Sequence, residues 1–313
     1  MKRRERLEGA VWGLLVGDAL GVPYEFTPPQ RIPREDRIEF QPPRDFMRSY
    51  DHVPPGTWSD DGAQALCLLS SLLDAGRLDP GDLMERISRW HRHGLYAVGG
   101  DVFDIGLQTR QAIDRYLEGA PAESAGRTDE WGNGNGSLMR VLPLALWHRG
   151  SDAELVSDSF RQSRPTHGHP RALVCCAFAC LWARAILSDG PDPWSDATAR
   201  LEAVLDPDGR ERMELDRTIQ PRERKEGKGK GYVVDTLWSV RQCLERATYE
   251  EVVRAAVALG HDTDTTACIA GGLAGLREGL DAIPRRWTRQ LRGKEMVEPL
   301  LERLLARSDD RGD

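Results

Sequence analysis

None of the six cysteines, Cys67, Cys175, Cys176, Cys180, Cys243 and Cys268, forms a C-x-x-C pair, and most sit among alanine, leucine and valine. That pattern points away from a zinc or disulfide framework and towards buried, reduced thiols. Long hydrophobic runs are missing too: none approaches the roughly 18 to 20 residues that a membrane-spanning helix needs. Met1 to Glu8 is charged and leads into no signal-type apolar block, so no membrane association and a cytoplasmic location are expected. There is no excess of positive charge. The net charge is −7 and the sequence pI about 5.6, which argues against general nucleic-acid binding. Strand-like alternation is scarce, and no internal repeat is visible.

What is present is the balance of a globular protein, 40% hydrophobic and 30% charged residues, enough to build a packed core. Helical spacing recurs over Glu5 to Leu20, Ala63 to Ala75, Pro80 to His91, Phe103 to Leu117 and Arg171 to Leu187. It continues over Val234 to Arg246, Tyr249 to Leu259, Thr265 to Leu280 and Pro284 to Leu305. Helix after helix, joined by loops rich in Gly and Pro, predicts an all-α fold. One domain over residues 1–313 accommodates it. Residues 28–55 and 206–230 read as irregular surface loops, the second as a solvated excursion. In the first helix Gly9, Gly13, Gly17 and Gly21 recur every fourth position. Each costs a helix about 1 kcal/mol relative to alanine, so another element is expected to approach closely there.

Two acidic clusters stand at predicted helix starts. Gly56-Thr57-Trp58-Ser59-Asp60-Asp61-Gly62 leads into one helix, and His261-Asp262-Thr263-Asp264-Thr265-Thr266 leads into another. No Lys or Arg lies between Arg48 and Arg77, nor between Arg254 and Arg277, so neither cluster is neutralised locally. Hard oxygen donors of this kind suit Mg²⁺ or Mn²⁺. Serine and aspartate also cap helices, where the dipole favours negative charge. Spacing alone leaves metal binding and paired caps both open.

Trp131-Gly132-Asn133-Gly134-Asn135-Gly136-Ser137-Leu138-Met139-Arg140 is either an ordinary glycine turn or a loop whose N–H groups approach an anion. It is neither a Walker loop nor a dinucleotide fingerprint. Thr166-His167-Gly168-His169 carries two histidines with no third soft ligand nearby, which favours capping and hydrogen bonding over zinc. Glu25 and Asp104 are two further acids with no local partner. Asp18 sits near a helix C-terminus, where an anion needs hydrogen bonds, and a capping or supporting duty is expected of it.

Taken in order, GAVWGLLVGDALGVPYEF, GTWSDDGAQALCLL, FDIGLQTRQAI, GNGSLMRVLPLAL, THGHPRA, GYVVDTLW and GHDTDTTACIAGGLAG resemble the ADP-ribosylglycohydrolase family. The resemblance implies an all-α, compact multi-helix globule with two divalent cations, Mg²⁺ or Mn²⁺, in a cleft. By matching motifs, Ser59, Asp60, Asp61, Asp262, Asp264 and Thr265 would hold the ions. Gly134, Asn135, Gly136, Ser137 and Met139, with His167 and Tyr232, would border the ADP-ribose site. The chain departs from the common pattern at Ser59 and Gly62, where threonine is frequent, and at His261, where glycine or asparagine is frequent. Gly62 is therefore expected to remove a hydroxyl from the site.

The activity so implied is hydrolysis of the glycosidic bond between the distal ribose of ADP-ribose and an acceptor, with Glu25 or Asp104 as the general acid or base. The partner would be an ADP-ribosylated protein, nucleobase or small molecule, and a monomer suffices. The competing readings are a two-metal phosphoester or pyrophosphate hydrolase, and a catalytically silent binding or structural homologue.

Overall fold

The computed structural model describes residues 1–309. Among them it contains fifteen α-helices and no β-strand, only two isolated bridges. The first eight are α1 (Arg3–Gly21), α2 (Asp60–Ala75), α3 (Pro80–His93), α4 (Leu107–Leu117), α5 (Ala122–Ala125), α6 (Leu142–Trp147), α7 (Asp152–Ser163) and α8 (Pro170–Leu187). The rest are α9 (Pro193–Val204), α10 (Arg210–Glu214), α11 (Val233–Cys243), α12 (Tyr249–Ala258), α13 (Thr263–Glu278), α14 (Arg285–Gln290) and α15 (Lys294–Asp309). The all-α expectation holds, and all six cysteines are buried and free.

The glycine stripe of α1 is where the fold is set. A Cβ on Gly9 would lie 2.3 Å from the carbonyl oxygen of Gly275, one on Gly13 2.4 Å from that of Gly271, and one on Gly17 2.0 Å from that of Ala267. From the other side, a Cβ on Gly275 would stand 2.0 Å from the Gly9 carbonyl. Backbone therefore meets backbone along an antiparallel α1–α13 pair, and only glycine permits it. The pairing brings the end of α1, with Asp18 and Gly21, against the start of α13. There the Thr263 hydroxyl donates to the Gly21 carbonyl at 2.8 Å.

Several boundaries differ from the sequence reading. The helix expected from Phe103 begins at Leu107, because Asp104 adopts a left-handed backbone, φ +55°, which no α-helix accommodates. The single helix expected from Pro284 to Leu305 is two, α14 and α15, separated by a left-handed Gly293, φ +71°. Residues 206–230 are not wholly solvated. They hold α10 and a π-helical turn, Leu215–Ile219, whose Leu215 and Ile219 are fully buried. The indole N–H groups of Trp194 and Trp238 donate to the Pro221 and Ile219 carbonyls, at 2.8 and 3.1 Å.

Among the described residues, helix α8 alone has the length and hydropathy to cross a membrane, and most of it is packed inside the fold.

Candidate active site

Ser59 caps α2, its hydroxyl accepting from the Asp61 N–H, and Asp60 and Asp61 occupy the first turn. Asp262 stands at the N-cap of α13 with Asp264 in its first turn. The two starts meet. Thr265 Oγ1 donates to Asp61 Oδ2 at 3.3 Å, and Ser59 Oγ donates to the same oxygen at 3.1 Å. Asp18, fully buried, accepts from the backbone nitrogens of Ser59 and Gly62 at 2.9 and 2.7 Å, so it caps α2 from another helix. Burial still pushes its carboxyl up to about 7, against the lowering by those two bonds.

Glu25 follows the short 3₁₀ turn Val22–Tyr24 that ends α1. One carboxylate oxygen from each of Glu25, Asp104 and Asp264 falls within 4.8 Å of the others. Burial, and then repulsion among these acids, raises Glu25, Asp60, Asp61 and Asp264 well above the usual carboxylate range. Asp262 is raised by burial and held back by hydrogen bonds from Asn135 and Thr265. Three buried oxygens, Glu25 Oε2, Asp61 Oδ1 and Asp264 Oδ2, have no hydrogen-bond partner. Buried like charges without partners are costly, and an all-oxygen donor set fits a hard divalent cation. Among the described residues, the acids whose oxygens converge closely enough to hold one ion are Glu25, Asp104 and Asp264.

Over this floor opens a cleft of about 820 Å³, with Asp60, Asp104, Asp262, Thr265 and Glu25 reaching its surface. Gly134, Asn135, Gly136, Met139 and His167 form a wall of it. Asn135 ties wall to floor, since its amide donates to Asp262 Oδ2 at 2.6 Å and to Thr236 Oγ1 at 3.0 Å. Gly134 and Gly136 leave room for His167: a Cβ on Gly136 would stand 2.9 Å from the imidazole Cε1.

Arg140, fully buried, organises this wall from behind. It donates to Gln64 Oε1 at 3.0 Å, and Gln64 in turn donates to Asp60 at 3.1 Å. It also donates to Thr166 Oγ1 at 2.8 Å. A guanidinium can only donate, which leaves the Thr166 hydroxyl its proton to offer to His167 Nδ1, 2.7 Å away. With that proton donated to Nδ1, His167 carries its own on Nε2. Burial, reinforced by Arg140, lowers its pKa to about 3, so the ring stays neutral.

Two expected wall residues sit differently. Ser137 is fully buried behind the loop, accepting from Ser163 Oγ at 2.7 Å and lying 3.3 Å from Cys176 Sγ. Tyr232 is partly exposed beside the lining residue Gly231, and Arg171 lies 5.9 Å over its ring. Ser59, Asp61 and Asp264 lie below the cleft surface. His169 serves as a cap, accepting from the Arg171 N–H at 3.2 Å.

A Cβ on Gly62 would meet Leu15 and the Trp58 ring at 2.8 to 2.9 Å, so a larger residue there would need these neighbours to shift. His261 takes a left-handed backbone, φ +64°, a conformation that glycine and asparagine adopt most readily. The sequence reading missed Phe26, Gln108, Arg127, Trp131 and Lys230 as lining residues. Phe26 and Trp131, exposed at 68% and 88%, stand at the edges of motifs read for their acids and glycines.

The family model for ADP-ribosylglycohydrolase matches residues 1–313. The chain belongs to the ADP-ribosylglycohydrolase family. It is 31% identical over 304 residues to an ADP-ribosylarginine hydrolase Tri1 of Serratia proteamaculans, covering 96% of this chain and 79% of that protein. It is 30% identical over 290 residues to an ADP-ribosyl-[dinitrogen reductase] glycohydrolase of Rhodospirillum rubrum, covering 92% and 90%. A solved ADP-ribosylglycohydrolase-related protein complex superposes with a TM-score of 0.79 at 36% identity, covering 98% of this chain and all of that one. As an ADP-ribosylglycohydrolase, the protein is a glycosidic-bond hydrolase acting on ADP-ribose linkages.

Proposed function

We propose that this ADP-ribosylglycohydrolase is a divalent-cation-dependent enzyme that releases ADP-ribose from the guanidine nitrogen of an arginine acceptor. The observation that carries the cation is the set of buried carboxylates from α2 and α13, with orphaned oxygens on Asp61 and Asp264. Ser59, Asp60, Asp61, Asp262, Asp264 and Thr265 would hold Mg²⁺ or Mn²⁺, two ions on this reading. The chemistry supplied on binding is charge stabilisation at ribose hydroxyls and activation of water.

The protein's own residues do the rest. Gly134, Asn135, Gly136 and Met139 bind the ADP-ribose side, and neutral His167 offers a fixed N–H donor. Ser137 holds the loop from behind, and Tyr232 borders the rim. In the reaction the C–N glycosidic bond breaks. A water oxygen becomes the anomeric hydroxyl of free ADP-ribose, and its proton goes to the leaving nitrogen. Glu25 or Asp104 moves that proton, and burial, which raises the Glu25 carboxyl, suits Glu25 to hold one. The arginine acceptor is supported by the likeness to a relative named for ADP-ribosylarginine hydrolysis. Six buried free thiols fit a reducing compartment, so we place the enzyme in the cytoplasm.

The test is product analysis on an arginine-ADP-ribosylated peptide with Mg²⁺, Mn²⁺ or chelator. Intact ADP-ribose, released only with the cation, is expected. AMP with ribose phosphate, or release that chelation leaves untouched, contradicts the reading.

A further inference from the structure

On the other side of the acids from the glycine-rich wall stands a chain of aromatic rings. Phe26 and Tyr50 lie 6.1 Å apart between ring centroids, and Tyr50 and Phe103 lie 5.0 Å apart. Each neighbours a site acid: Phe26 follows Glu25, and Phe103 precedes Asp104. Phe103 and Gln108 belong to one segment whose ends diverge, since Gln108 donates to the Gly132 carbonyl on the glycine-rich wall at 3.0 Å. Of the three rings Phe26 lines the cleft, with Tyr50 packed against it and Phe103 packed against Tyr50.

Three backbone ties hold this arrangement. The Phe26 N–H donates to the His261 carbonyl at 2.6 Å and the His261 N–H to the Thr27 carbonyl at 2.8 Å. The Ser49 hydroxyl donates to the Glu25 carbonyl, fixing the segment that carries Tyr50. Phe26 nevertheless is 68% exposed and lines the cleft. Beside it Glu25, 4% exposed, leaves Oε2 without a hydrogen-bond partner. An exposed aromatic face next to an unpartnered, buried carboxylate fits a planar, delocalised cation, which stacks on the one and donates to the other.

We propose that Phe26, backed by the rings of Tyr50 and Phe103, forms the acceptor subsite, an aromatic collar that receives a guanidinium group against the Glu25 carboxylate. The collar rests on the arginine-linked reading above and extends it to specificity. A hydroxyl acceptor such as serine offers neither the planar face nor the charge, and gains nothing from these rings.

The test is calorimetric titration of agmatine, a small guanidinium compound, into enzyme saturated with Mg²⁺ and ADP-ribose. Saturable millimolar binding is expected for the wild type. Phe26→Ala and Tyr50→Leu weaken it about three- to thirtyfold, while Tyr50→Phe, which keeps the ring, restores it. All three variants bind ADP-ribose within about twofold of wild type, an outcome that general damage to the fold would not give. Absence of saturable agmatine binding, equal binding by wild type and Phe26→Ala, or a parallel loss of ADP-ribose affinity overturns the collar. Turnover of the arginine-linked peptide is measured separately. A wild-type enzyme that cleaves it but fails the agmatine test keeps its function and loses the collar. Collar-dependent agmatine binding without turnover keeps the collar and sinks the reaction.

Discussion

Thr265 donates a hydrogen bond to Asp61 at 3.3 Å across 204 residues of sequence. This contact joins the two acidic helix starts, and the glycine-lined crossing of α1 and α13 makes it reachable. Helix packing, the acidic floor and the cleft are consequently one construction, and a change in any one should be read in the others.

Gly17→Ala places a methyl carbon 2.0 Å from the Ala267 carbonyl oxygen. Neither backbone can yield without moving the other helix. Overpacking of this kind costs about 3 kcal/mol or more. The denaturant midpoint should fall accordingly, and cation affinity should fall with it. An unchanged midpoint would mean that α1 and α13 do not pack this closely.

The acids set a pH dependence with a definite sign. A carboxyl whose folded pKa is raised above its unfolded value binds more protons in the folded state within that window, so stability falls as pH rises through it. For Asp18 the window runs from its ordinary value of 3.8 to about 7, and Asp61 and Asp264 act in the same direction. Cation-free protein should therefore lose stability between about pH 4 and 7, by up to about 1.4 kcal/mol per unit for each such group. Saturating Mg²⁺ should reverse the loss with release of protons. Asp61→Asn should stabilise the cation-free protein at neutral pH and blunt the Mg²⁺ effect. Thermal melts across pH, with and without the ion, give the answer, and a cation-free stability that climbs through this range counts against the account.

His167 works the other way. Its folded pKa, lowered to about 3 from 6.5, means the unfolded state binds the extra proton, so its contribution to stability is lost as pH falls through that interval. Nitrogen NMR should find a neutral ring at pH 5 with its proton on Nε2. An imidazolium signal, or the Nδ1 tautomer, would break the Arg140–Thr166–His167 chain of hydrogen bonds.

Glu25→Gln and Asp104→Asn separate catalysis from binding. The amide of the true proton-transfer residue should lower kcat by about 10²- to 10⁴-fold while ADP-ribose still binds in a calorimetric titration. If both variants keep near-normal rates, neither carboxylate moves the proton.

Much of this was legible in the sequence. The glycine period of α1 announced a close partner, and the isolation of Asp60, Asp61, Asp262 and Asp264 from any local base announced an unneutralised site. Other signals were present but unread: Ser151 and Glu154 form a capping box that starts α7, and Pro193 stands in the first turn of α9 behind an Asp192 cap. Helix α6 has Pro143 in its first turn but no side-chain cap, and with all six of its residues buried a short helix without an exposed face shows no period. The aromatic collar was hidden for a different reason. Phe26, Tyr50 and Phe103 come from three loops, two of them turning at left-handed residues, Phe26 and Tyr50, and no spacing rule links loops that meet only in three dimensions.

The most direct measurement is anomalous diffraction from crystals soaked with Mn²⁺. The account predicts two peaks bounded by the carboxylates of Asp60, Asp61, Asp262 and Asp264. An absence of density between the starts of α2 and α13, or ions found only on the outer surface, would contradict it.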